Sequence, residues 1–269
     1  DRESLEYVVD QLNNAVTDIA DADKKSEWAD VKEACEDMLR VINSIELFIA
    51  DVEEDYAEFD IETVKSSDVP ALDKLVSKVN EIKDRYGFNL TDEEEKKLED
   101  ILDGIEKLKA KIDETADEIA RIDEAVNGYD KETVKSSDVP ELGKLIEDIK
   151  ALTDGDNLTE DEKAALEEAD KAIDELVEKL TEVAEEIKRV DEAVKSYDED
   201  SVKSTDSEDL AQLKEDIQNL IDSDNTTENE KTALEEMIEK VETLEEKIEE
   251  IETQLEEIAG VENGYSPET

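Results

Sequence analysis

Carboxylates are the one reactive group this chain holds in quantity: 85 Asp and Glu stand against 31 Lys and Arg, a formal charge of −54, with no histidine and one cysteine. Without imidazole, neither Ser/His/Asp nor Cys/His nucleophile activation is available, nor is histidine-ligated zinc. Two carboxylates could still act as acid and base. Here such pairs occur everywhere, so none stands out, and no glycine-rich phosphate loop or nucleophile elbow is present. The residues point to a non-enzymatic chain with no cofactor and no metal.

Several segments come close to a known chemistry and miss it. Asp154-Gly155-Asp156-Asn157 and Asp222-Ser223-Asp224-Asn225 open like calcium loops, but Leu158 and Thr226 fall where the next oxygen ligand is needed, and the glycine is misplaced. Asn89-Leu90-Thr91, Asn157-Leu158-Thr159 and Asn225-Thr226-Thr227 fit the glycosylation pattern, yet each threonine has a second role as a helix cap. Cys35 falls where other copies carry Ile105, Ile173 and Val241, which predicts burial as a small apolar residue.

So acidic a surface repels phosphate, which argues against nucleic acid and against direct membrane contact. Full disorder is the other consequence of 43% charged and 37% hydrophobic residues. A regular apolar period argues instead for folded helices.

That period belongs to a repeat. Val64-Lys65-Ser66-Ser67-Asp68-Val69-Pro70 returns unchanged at 134–140, and a worn copy, Val202-Lys203-Ser204-Thr205-Asp206, follows. The Asn-Leu-Thr marker and the pairs Phe59-Asp60, Tyr129-Asp130 and Tyr197-Asp198 recur with the same spacing. They define a divergent repeat 1 over 1–60, then repeats 2 (61–129), 3 (130–197) and 4 (198–265), with 266–269 reading as the start of a further connector. A chain that stops mid-array reads as a piece of a longer protein.

In repeat 2, Leu98, Ile101, Ile105, Leu108, Ile112, Ile119, Ile122 and Val126 keep steps of three and four, with Thr115 in the one gap. This predicts a single helix over about 92–127, opened by a Thr91/Glu94 capping box and ended by Asn127-Gly128. The boxes recur at Thr159/Glu162 and Thr227/Glu230, and Asp138 with Glu141 is expected to cap a shorter helix. A short helix joined to a long one by a brief loop forms an antiparallel pair that buries too little. The economical fold is all-α: tandem three-helix bundles sharing long continuous helices, in an elongated, monomeric rod. At three helices abreast, it would reach at most ~130 Å.

Candidate binding residues are those apolar in one copy and charged in its counterparts. Phe48 aligns with Glu118 and Glu186, Val41 with Lys111 and Lys179, Tyr7 with Ser77, Glu147 and Glu215, and Val8 with Lys78, Asp148 and Asp216. This face either packs on a preceding helix or domain or binds a protein. Lys83 to Phe88 replaces the four residues Thr153 to Asp156 with six and adds Tyr86 and Phe88, either a binding hot spot or a lid over the hairpin. Trp28, aligned with Leu98 and Leu166, is expected in the core.

The connector, the Asn-Leu-Thr loop, the acidity and the bundle plan together resemble the tandem three-helix-bundle repeats, spectrin-like in architecture, of Gram-positive bacterial cell-surface proteins. That resemblance implies an extracellular, cell-wall-anchored parent in which this segment is a stalk, spacer or adhesin region. It also implies an alternative, a host-protein-binding module acting through repeats 1 and 2, with immunoglobulin or albumin as examples of the partner. An intracellular spectrin-like scaffold is the remaining reading.

Overall fold

Runs of straight-chain and charged residues on either side of each apolar seam favour helix, and almost no glycine or proline interrupts them. The computed structural model describes residues 2–264, and their backbone is all-α with no strand. In chain order the helices are α1 (Arg2–Asp18), α2 (Ala22–Tyr56), α3 (Val69–Tyr86), α4 (Asp92–Asn127), α5 (Val139–Thr153), α6 (Glu160–Ser196), α7 (Ser207–Asp222) and α8 (Glu228–Gly264). The long ones, α2, α4, α6 and α8, run 35 to 37 residues without a break. The connector start expected at 266–269 lies outside the described residues, within which no helix is long and apolar enough to cross a membrane.

The helix starts follow their local chemistry. In α4 the Thr91 N–H donates to Glu94 Oε2 at 2.8 Å while the Glu94 N–H donates to Thr91 Oγ1 at 3.2 Å. Thr159 with Glu162 and Thr227 with Glu230 repeat this reciprocal pair. Each satisfies two otherwise orphaned donors. Four acids, Asp92 to Glu95, crowd the first turn of α4, where the helix dipole favours them. The end of α4 differs from expectation: Gly128 does not adopt a left-handed φ. Its N–H instead stays on the helix, reaching the carbonyls of Glu124 and Ala125, so glycine supplies no special conformation there.

The described residues pack as two compact units, one comprising residues up to Glu118 with Thr153–Glu162, the other Ile119–Leu152 with Lys163 onward. In the first, Ile45, Ile49 and Val52 of α2 join Leu72, Leu75, Val79 and Ile82 of α3 and Leu98 to Ile112 of α4 in one core. Burying each such side chain contributes roughly 1.5–3 kcal/mol. Ion pairs Lys97–Glu53 (3.4 Å), Lys83–Glu99 (3.5 Å) and Lys109–Asp73 stitch the same three helices at the surface.

The α1–α2 pair within this unit is covered on one side only. Leu12 of α1 is buried, but Trp28, Val31 and Met38 of α2 are 46%, 49% and 56% exposed. Cys35 is half-buried rather than buried. Both expectations for α2, a core Trp28 and a buried Cys35, are therefore corrected. A seam of three-four spacing needs two neighbouring helices to close it, and here α1 alone supplies one.

In the second unit, Val190 and Val194 of α6 pack with Leu210, Leu213, Ile217 and Leu220 of α7 and with Leu234, Val241, Leu244 and Ile248 of α8. Lys214 of α7 reaches both Glu242 and Glu245 of α8 at 3.0 Å. Further along α8 the seam is uncovered, with Leu255 54% and Ile258 60% exposed.

Candidate functional site

Three constructions recur or stand out: the connector, the joint it makes, and an aromatic patch. Each connector folds alike. Asp60 Oδ1 accepts from the Glu62 N–H (2.8 Å), the Val64 N–H donates to the Asp60 carbonyl (2.9 Å), and the Lys65 N–H donates to Asp68 Oδ2 (2.9 Å). The connectors at 130–138 and 198–206 repeat every one of these bonds. The valine each one presents, Val64, Val134 or Val202, is buried. Asp138, expected to cap α5 with Glu141, spends its carboxylate instead on the Lys135 N–H, as Asp68 and Asp206 do on their own lysines.

The two repeated markers meet in space. In the second unit, Asn225 of the α7–α8 loop donates through Nδ2 to the carbonyls of Lys131 (3.0 Å) and Val134 (2.9 Å) in the preceding connector. Ser136 of that connector donates its hydroxyl to Glu230 at 2.7 Å. In the first unit, Asn157 donates to Thr115 Oγ1 at 3.0 Å, and the Ser66 hydroxyl lies on the side of Glu162 where it favours the charged carboxylate. Thr115, the polar gap in the α4 seam, thus sits buried with a partner, its own hydroxyl donating to the Lys111 carbonyl.

These contacts set the charge state of the joint. Burial pushes the Glu162 carboxyl up, but the Thr159 N–H, the Ser66 and Thr159 hydroxyls and the Lys65 charge outweigh it and hold it below the ordinary range. Glu230 is lowered in the same way, burial again opposing and the Thr227 and Ser136 bonds prevailing. Burial raises the phenols of Tyr129 and Tyr197, the aromatic residues that open the second and third connectors. The α3–α4 loop has the same capping box but no such joint: Asn89, the counterpart of Asn225, is exposed.

The candidate binding residues divide. Phe48 of α2, 43% exposed, stacks on Tyr86 of α3 with ring centroids 6.0 Å apart and planes at 29°. The Arg85 guanidinium lies 5.2 Å from the Tyr86 ring centroid, a cation–π contact. Around them a groove of about 200 Å³ mixes Phe48, Val52, Ile82 and Tyr86 with Asp51, Lys78, Glu81 and Arg85. Val41 packs half-buried against the first core, as Tyr86 does, while Phe88 in the turn Gly87–Asn89 is fully exposed. Tyr7 and Val8 lie on α1, 67% and 41% exposed, and are not part of the groove.

Sequence reasoning missed an ion pair. Lys78 bonds Asp51 at 2.7 Å across 27 residues, and Arg121 with Asp148 and Arg189 with Asp216 pair across the same 27. The first has its charges exchanged relative to the other two. Aligning the repeats and comparing charge signs at that separation would have found it. The Asp51 and Asp55 carboxylates raise the Lys78 ammonium, and the Arg189 bond holds Asp216 below its ordinary range. Among the described residues, no group of three or more Asp, Glu, Cys or His side chains is placed to hold a metal ion. No protein-family model, curated protein or solved structure matches the chain.

Proposed function

We propose that this chain is a non-enzymatic structural spacer, a tandem array of three-helix bundles in which each long helix serves two successive bundles. What carries the reading is the joint between successive repeats: Asn225 and the capping Glu230 are bonded to the connector of the repeat before theirs, and Asn157 is bonded to Thr115 in the long helix of the repeat before its own. Long helices without an internal break are the second support, since a helix of 36 residues rises ~54 Å. Like charges along the array keep it soluble and hold it off anionic surfaces. The resemblance to Gram-positive surface repeats makes a stalk of a bacterial cell-surface protein the setting in which such a spacer serves.

Small-angle X-ray scattering of the chain tests the array directly. A spacer gives a maximum dimension approaching ~130 Å. A radius of gyration near ~18 Å, the value for a compact chain of this length, would sink the reading.

A second reading, a module that binds a host protein through repeats 1 and 2, is favoured by Phe88, an aromatic side chain left wholly in solvent two residues after Tyr86 of the Phe48–Tyr86 stack. Retention of a defined serum protein by the wild-type chain and its loss with Phe88→Ser would support it; equal retention by both chains would count against it.

A further inference from the structure

The groove between α2 and α3 has a counterpart between α6 and α7, and the two differ in what lines them. Lys179, Glu182, Glu186 and Asp216 border the second, over Val183 and Leu220. There Glu186 and Asp216 both bond Arg189, so those charges are spent within the chain. That groove has helices before and after it in the chain, so an open channel at this place belongs to the repeat. What is particular to the first is its lining: Phe48 stands where Glu186 stands, and Tyr86, stacked on it, has no aromatic counterpart in the other.

At about 200 Å³ the first groove falls below the ~300–1,000 Å³ of small-molecule sites, so it suits the side chains of a partner rather than a cofactor. Its walls run along the two helices, Phe48 to Val52 on α2 and Lys78 to Tyr86 on α3, the longer wall ~12 Å or just over two turns. A channel of that form takes one face of a helix, whose apolar residues recur at i and i+3 or i+4. The rim decides the charge of the occupant. Asp51 and Asp55 both bond Lys78, and the Arg85 guanidinium lies over the Tyr86 ring, which leaves Glu81 as a carboxylate with no bonding partner among the described residues.

Three carboxylates, Asp51, Asp55 and Glu81, thus face two cations, Lys78 and Arg85, on a chain whose whole charge is −54. Such a rim attracts a cationic segment and repels an anionic one. We propose that this groove docks an amphipathic helix of a partner protein, an apolar side chain packing on the Phe48–Tyr86 stack and flanking lysines or arginines meeting the acidic rim, one of them at Glu81. Tyrosine and arginine, both present here, are the residue types that concentrate binding energy at such contacts. The inference rests on the host-protein-binding reading and adds the chemistry of the partner; it does not depend on the spacer role.

Fluorescence anisotropy of labelled synthetic peptides with the full chain tests it, in about 0.15 M salt so that diffuse attraction to the acidic surface is screened. Each peptide is alanine-based and of roughly 18 residues, long enough to be helical. One carries leucines along one face with flanking lysines, another has serine for leucine, and the last has glutamate for lysine. The first is expected to bind the wild-type chain, and the others to bind about tenfold more weakly or worse. Phe48→Glu, which installs the residue found at this place in repeats 2 and 3, should weaken the first peptide by about tenfold. Glu81→Lys, at an exposed position, should weaken it by about threefold. Circular dichroism matching wild type shows that both variants fold. Equal affinity for wild type and Phe48→Glu, or for the leucine and serine peptides, would overturn the proposal, because the acidic surface alone would then account for binding; no binding at all would overturn it too. If the chain retains a serum protein through Phe88 while the peptides fail, the chemistry assigned to the partner is wrong and the binding reading stands. Binding of the leucine peptide through Phe48 with no serum protein retained upholds the groove and removes only the host as the source of the helix.

Discussion

Lys78 meets Asp51 at 2.7 Å in the place where Arg121 meets Asp148, so one contact between a long and a short helix is written twice with opposite signs. Exposed pairs of this kind contribute about 0.2–1 kcal/mol. Lys78→Asp removes the attraction and sets a third acid beside Asp51 and Asp55, so it should destabilise by about 1 kcal/mol or somewhat more. Adding Asp51→Arg recreates the arrangement of the later repeats and should recover most of the loss. A double-mutant cycle from urea unfolding measures the coupling, and additive single effects would refute it.

Asn225 is buried and bridges two carbonyls of the preceding connector. Asn225→Ala should cost about 1–3 kcal/mol, since it takes the amide donor from both acceptors. Asn89→Ala, at the exposed counterpart, should change stability by less than about 0.5 kcal/mol. Thermal unfolding followed by circular dichroism compares the two, and equal losses would contradict the joint.

The lowered carboxyls of Glu162 and Glu230 fix the sign of a pH effect. A group with a depressed folded pKa contributes stability that is complete above the ordinary glutamate range and is lost as pH falls through the folded value. The difference in Tm between wild type and Glu230→Gln should therefore be largest at neutral pH and shrink on acidification. Comparing the pair at each pH cancels the general relief of repulsion as other carboxylates protonate. A difference that stays constant into strong acid would remove the carboxylate from the joint.

Salt should stabilise the chain. With 85 acidic residues and 31 basic ones, repulsion between carboxylates outweighs attraction at the surface, and screening relieves more repulsion than it costs in ion pairing. The expected rise in Tm is a few degrees between low and physiological ionic strength, the scale about 1 kcal/mol produces in a chain this long. A flat or falling Tm by calorimetry would be the contrary result.

The helices are legible in the sequence because their determinants are local. Steps of three and four from Leu98 to Val126 place α4 within a residue of its observed ends, and Thr91 with Glu94 marks its start. The joint is half legible: both markers, the Asn-Leu-Thr loop and the connector, stand out by recurrence. Their meeting does not, because Ser136 and Glu230 lie 94 residues apart and nothing local encodes that pairing. Trp28 departs from expectation because alignment with Leu98 gives the side of the helix it occupies, and not whether a neighbour covers that side. Gly128 departs from it because a glycine after a helix permits a left-handed turn without requiring one. Of the candidate site, apolar residues at positions charged in other repeats single out Phe48, and the longer loop singles out Tyr86, but only the packing of α2 on α3 stacks them.

Trp28 is the chain's sole indole, and it lies half in solvent on the α1–α2 pair. Its emission is consequently a local signal from the first half of α2, outside the two cores, whereas far-ultraviolet dichroism sums over every helix. Where that pair loosens before the rest, the emission maximum shifts red and quenching by iodide or acrylamide rises while ellipticity holds. The protein thus carries an optical gauge of its α1–α2 pair, with no label to attach.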